Sequence, residues 1–156
     1  MTDQAKNHWE DFQLDRTVTF GHYEVTKDEI IAFASEFDPQ PFHLDEEAAR
    51  ATPFGGLVAS GWHSCAIFMR MIYDGVLANA ASLGAPGLAQ CRWLKPVRPG
   101  DRLSGRYTCI EKRVSQSMPN VGIVEAFYEC LNQDGTVVLD WRVTQFFRCR
   151  EAPHAS

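Results

Sequence analysis

The chain has 156 residues, of which 45% are hydrophobic and 22% charged, and a formal net charge of −5. That length predicts one domain, and the acidic balance points away from nucleic acid and anionic membrane as main partners. The polar start MTDQAKNHWEDF lacks a signal-peptide apolar region, and no run is long and pure enough to span a bilayer, so the cytoplasm is the expected compartment.

Residues 1–15 read as a surface lead-in. Arg16–Tyr23 alternates β-branched and aromatic residues and predicts a strand. Thr26 and Glu29 have capping-box spacing, and Ile30, Phe33, Ala34 and Phe37 follow at helical intervals. Pro39 should stop that helix at or before Asp38. Asp45 or Glu46 opens a short second helix to about Arg50, and Pro53, Gly55 and Gly56 break it.

Between these helices lies Asp38-Pro39-Gln40-Pro41-Phe42-His43. Each proline fixes its own φ and pushes the residue before it away from helix, so a stiff extended turn is expected. Such a turn can hold a carboxylate and an imidazole at a fixed separation, a workable acid/base pair around one water. The plainer alternative makes Asp38 a turn residue and His43 a cap for the next helix.

Ser60-Gly61 precedes a long apolar segment, Trp62–Leu83, read as a mostly buried helix that Gly84-Ala85-Pro86-Gly87 ends. A helix start leaves backbone N–H groups unpaired, and glycine lets a ligand carbonyl approach, so the Gly61 N–H is a candidate oxyanion donor. The alternative is that Ser60 is only an N-cap and Gly61 only permits tight packing. Trp62, Phe68, Met69 and Phe54 are candidates for an apolar pocket wall, or plain core.

The remainder is β in character. Leu88–Leu94, Arg102–Val114, Val121–Leu131 and Thr136–Cys149 read as strands, the last two joined by the Asp134-Gly135 hairpin signal. Residues 150–156 read as a tail. The five cysteines are scattered without a CxxC pair, and the five histidines lack metal-ligand spacing. No disulfide framework, metal site or cofactor is therefore expected. GxGxxG, Walker A and GxSxG motifs are absent from the sequence. A long helix against a curved antiparallel sheet is an α+β layer solution, and its exposed sheet edge invites a second copy.

The segment Asp38-Pro39-Gln40-Pro41-Phe42-His43-Leu44-Asp45 resembles the D-x-N-P-x-H-x-D motif of the MaoC-like dehydratases, the (R)-specific enoyl-CoA hydratases. Ala48-Ala49, Phe54-Gly55, Ala59-Ser60-Gly61-Trp62 and the connector Lys95-Pro96-Val97-Arg98-Pro99-Gly100-Asp101 support the likeness, which covers about residues 16–149 as a single domain. The resemblance implies a hot-dog fold, a curved antiparallel sheet wrapped around a long central helix, paired as a homodimer or higher homo-oligomer. It implies an acyl-CoA substrate and hydration of a 2-enoyl thioester. Asp38 and His43 match the catalytic pair and Gly61 the oxyanion glycine, with Gln40, Phe54, Ser60 and Trp62 as substrate contacts. Gln40 stands where the motif usually has Asn, and Ser60 where His often precedes the glycine. A hot-dog acyl-CoA thioesterase and a non-catalytic acyl-CoA-binding subunit are the competing readings.

Overall fold

The computed structural model describes residues 7–150. The elements follow as β1 (Thr17–Glu24), α1 (Lys27–Phe37), α2 (Glu46–Arg50), α3 (Gly61–Ile72), β2 (Ser82–Trp93), β3 (Arg102–Val114), β4 (Val121–Leu131) and β5 (Val137–Arg148). The strands form one antiparallel sheet in the order β1-β3-β4-β5-β2. Both edges therefore come from early in the chain, and the hairpins of the C-terminal half fill the middle.

Alternation explains the middle of the sheet. Along β4, Val124, Ala126, Tyr128 and Cys130 are buried at every second position, so one face of the strand is core. α3 supplies the opposing layer. Ile67, Phe68, Met71 and Ile72 share its buried face, and the Phe68 ring meets Tyr128 and Trp141 at centroid distances of 6.3 and 5.1 Å. Phe68 is fully buried, which contributes about 1.5–3 kcal/mol relative to exposure. A sheet curved around this helix is the hot-dog fold.

α1 begins as its residues dictate. Thr26 Oγ1 accepts the Glu29 N–H at 3.2 Å, and Glu29 reaches back to the Thr26 N–H at 3.3 Å. Asp38 closes the helix. Asp45, not His43, caps α2, its Oδ1 accepting from the backbone N–H groups of Glu47 and Ala48.

Three expectations need correction. The Pro39–His43 stretch is not wholly extended: Pro41–His43 forms one 3-10 turn. Proline suits the first position of such a turn, where its missing N–H is not needed. The predicted helix over Trp62–Leu83 stops early. α3 ends at Ile72, a π-helical turn follows at Tyr73–Leu77, and the sheet takes over from Ser82, which pairs with Phe147. Gly84 and Pro86, read as helix breakers, lie inside β2. Its register against β5 shifts on either side of Gly84, and Gly84 has φ +96°, a conformation glycine adopts without strain. An edge strand tolerates Pro86 because one side of its backbone has no ladder to lose. Lastly, the expected surface lead-in is partly core. Phe12 is buried and tilts against Phe147 at 4.3 Å, and the Trp9 indole N–H donates to Ile123 O. The tail at residues 151–156 lies outside the described residues, as do residues 1–6 of the lead-in.

Candidate active site

A cavity of about 480 Å³ opens where the loop after α1 meets the N-terminus of α3 and the end of β2. Asp38, Gln40, His43, Phe54, Gly61 and Trp62, all named from the sequence, line it. Val58, Ser64, Trp93 and Lys95 complete the parts that bear on the chemistry.

Asp38 and His43 are the polar centre. Asp38 Oδ2 lies 3.3 Å from His43 Nε2. The His43 ring is buried, and its Nδ1 lies 2.7 Å from Val58 O. A carbonyl can only accept, so Nδ1 carries the hydrogen and donates it. In the neutral ring Nε2 then presents a lone pair toward the cavity side that it shares with Asp38.

Both Asp38 oxygens are held. Ser60 Oγ donates to Oδ2 at 2.7 Å and Gln40 Nε2 donates to Oδ1 at 2.8 Å. These two hydrogen bonds, Ser60 first, hold the carboxyl below its ordinary value, and the nearby imidazole adds to the effect against a smaller burial cost. Asp38 is an ionised, oriented carboxylate.

Gly61 is the first residue of α3. The carbonyl before it, Ser60 O, accepts from Ser64 N at 3.0 Å and Ser64 Oγ at 3.3 Å. The Gly61 N–H of that same peptide has no acceptor among the described residues, and Gly61 is part of the cavity wall. An unpaired N–H at the positive end of a helix suits a developing oxyanion. Tight packing is present as well: a Cβ at Gly61 would lie 2.6 Å from Trp93 Cε2. The tight packing that the sequence allowed at Gly61 is therefore present, and its N–H is left without an acceptor among the described residues.

Ser60, expected to touch substrate, is fully buried and is not on the cavity wall. It acts on the site through Asp38 and caps α3 by accepting the Trp62 N–H at 3.3 Å. Phe68 is core, and Met69 belongs to a second, apolar cavity of about 380 Å³ beside Trp141 and Leu88. Of the three cations near the connector, Arg92 is bound by buried Asp140, and the Arg98 guanidinium donates to Phe54 O. Lys95 is the one of the three that lines the cavity. Sequence reasoning missed Trp93 and the Val58 carbonyl. Nothing local marks either one, since Trp93 meets Gly61 from 32 residues away.

The fold and this site define a hot-dog domain with a carboxylate–imidazole pair set beside a helix N-terminus. Residues 10–126 match the MaoC like domain, and the chain belongs to that dehydratase family. It is similar to the MaoC-like dehydratase from Rhodospirillum rubrum, with 38% identity, a TM-score of 0.83, and coverage of 93% of this chain and 99% of that one. It is 32% identical to YdeM of Bacillus subtilis (strain 168) over 133 residues, 84% of this chain and 92% of that protein. The unliganded (R)-hydratase PhaJ1 from Pseudomonas aeruginosa shares the fold, with a TM-score of 0.70 and 23% identity over 96% of this chain and 95% of that one. Among the described residues no helix is long and apolar enough to cross a membrane.

Proposed function

We propose that this protein is an (R)-specific 2-enoyl-CoA hydratase, equally a 3-hydroxyacyl-CoA dehydratase, working on acyl thioesters in the cytoplasm. The observation that carries the reading is the 3.3 Å pairing of Asp38 Oδ2 with His43 Nε2 in a cavity that also exposes the Gly61 peptide.

Two acceptors side by side suit one water that donates a hydrogen to each. As the water oxygen bonds to C3 of the enoyl group, His43 Nε2 takes its proton. Asp38 is the poorer base, because Ser60 and Gln40 lower its proton affinity. Electrons from the C2=C3 bond move onto the thioester oxygen, where the Gly61 N–H stabilises the enolate. Collapse of the enolate takes the proton from His43 to C2, giving the 3-hydroxyacyl thioester. The loss of one oxyanion donor typically costs ~10²–10³ in rate. Phe54 and Trp62 would flank the acyl thioester, Gln40 would orient the carboxylate, and Lys95 is the cation available to a phosphate of the carrier.

The working unit we propose is a homodimer or larger homo-oligomer. β2 is a twelve-residue sheet edge bearing exposed Leu83, Leu88 and Trp93, and a second copy can continue the ladder. Five free cysteines fit a reducing compartment.

The test follows the enoyl-thioester absorbance and free thiol together on a panel of 2-enoyl-CoAs. Loss of the enoyl band with no thiol released is expected. Thiol release would make the protein a thioesterase, and an unchanged panel would leave it a binder.

A further inference from the structure

We infer that Trp93 is a positioning residue: its indole holds the Gly61 carbonyl, and through it the first turn of α3 whose Gly61 N–H serves the oxyanion role. The inference rests on the hydratase reading above.

β2 and α3 meet as a seam with matched spacing. Four residues of helix rise about 6 Å, and two residues of strand about 6.6 Å. Gly61 and Cys65, four apart on α3, therefore face Trp93 and Cys91, two apart on β2. Two contacts mark the rungs. Trp93 Nε1 donates to Gly61 O at 2.8 Å, and Cys65 Sγ lies 3.8 Å from Cys91 Sγ. The seam is thus anchored one helical turn beyond the cavity wall as well as on it.

At the first rung the indole occupies the space a side chain would need. A Cβ on Gly61 would come within 2.6 Å of Trp93 Cε2 and 2.7 Å of Nε1. The φ of Gly61 is not in the left-handed region, so contact and not torsion demands glycine there. The carbonyl of the preceding peptide accepts from Ser64, and the Gly61 carbonyl, in the first turn of α3, accepts from the Trp93 indole as well. The Gly61 N–H lies in the plane of the Ser60 carbonyl, and the indole holds the next peptide plane, so both planes that meet at the Gly61 Cα are tied down. Trp62 braces the indole edge-on, with ring centroids 5.2 Å apart.

The experiment measures kcat and KM for the enoyl-CoA that the wild type hydrates best. Trp93→Phe keeps most of the ring and removes the donor; about a tenfold fall in kcat is expected, with KM changed less than about twofold. Gly61→Ala should cost about a hundredfold, and the same change in a Trp93→Val background should cost about tenfold less, because the clash is gone. Circular dichroism and thermal melting of each variant verify folding. Wild-type kcat in Trp93→Phe, or an equal Gly61→Ala loss in both backgrounds, would overturn the inference and leave the hydratase reading standing. A wild type that hydrates no member of the panel would remove the reaction and the oxyanion role together.

Discussion

Two histidine–carboxylate pairs flank the first turn of α3, and they differ in kind. His43 and Asp38 lie 3.3 Å apart; His63 and Glu29 lie 3.6 Å apart. Both imidazoles are buried. Yet His43 is oriented by the Val58 carbonyl and opens on the cavity, whereas His63 is not on that cavity's wall and its Nδ1 has no partner among the described residues. Phe33 stacks on His63 at 4.7 Å, and the Tyr23 hydroxyl donates to Glu29. The first pair is aimed; the second joins α1 and β1 to α3. An acid and an imidazole in contact are therefore not a site by themselves. A third group that fixes the tautomer, and space for a reactant, make the difference.

Substitutions can break the comparison at its strong end. Asp38→Asn and His43→Ala should each lower turnover at least about a hundredfold while the melting temperature shows a folded protein. Near-normal turnover in either would place the chemistry elsewhere.

Ser60→Ala should act through Asp38. Losing the largest contributor to the lowered carboxyl pKa lets that pKa rise toward its ordinary value of 3.8. The carboxylate then loses one of its two supports, and kcat should fall about tenfold. Stability follows the same sign. A depressed folded-state pKa contributes stability above the unfolded value, and that stability is lost as pH falls through the folded value. The wild-type advantage over Ser60→Ala should therefore shrink below about pH 4 in thermal melts.

His63 sharpens the other side. Burial lowers its pKa from 6.5, against a weaker opposing pull from Glu29. The folded state thus binds the proton less readily than the unfolded chain, and stability declines as pH falls below 6.5 toward the folded value. His63→Phe keeps the stack on Phe33. It should flatten the melting temperature over that pH window and leave turnover within about threefold of wild type. Within the Asp38–His43 site, the smallest effect is expected at Gln40. Its side chain is exposed, and Gln40→Asn shortens a single support of Asp38, so kcat should fall only about twofold to threefold.

How far the sequence could tell these regions apart depends on the range of the contacts. The capping box at Thr26, the bounds of Arg102–Val114 and Val121–Leu131, and the grouping of Asp38, Gln40 and His43 were legible, since they rest on neighbours in the chain. Gly61, 18 residues beyond His43, was legible as an oxyanion candidate from its place at a helix start, and the resemblance tied it to the Asp38–His43 pair. The end of α3 was not legible. Ala78–Ala81 suits a helix, but the chain around residue 7 takes its backbone: Asn7 N donates to Asn79 O and Ala81 N donates to Asn7 O. Glycine 84 read as a stop because its left-handed φ serves a helix end and a strand irregularity equally well. The Asp38–His43 motif set His43 apart from His63, but the physical grounds, the Val58 carbonyl and the cavity, were not in the sequence.

The most direct measurement compares enoyl-thioester hydration by wild type, His43→Ala and His63→Phe in one experiment at neutral pH. Rapid loss of the enoyl band is expected with wild type and His63→Phe, and a rate at least about a hundredfold lower with His43→Ala. Equal rates for the two histidine variants, or a greater loss with His63→Phe in a folded protein, would contradict that expectation.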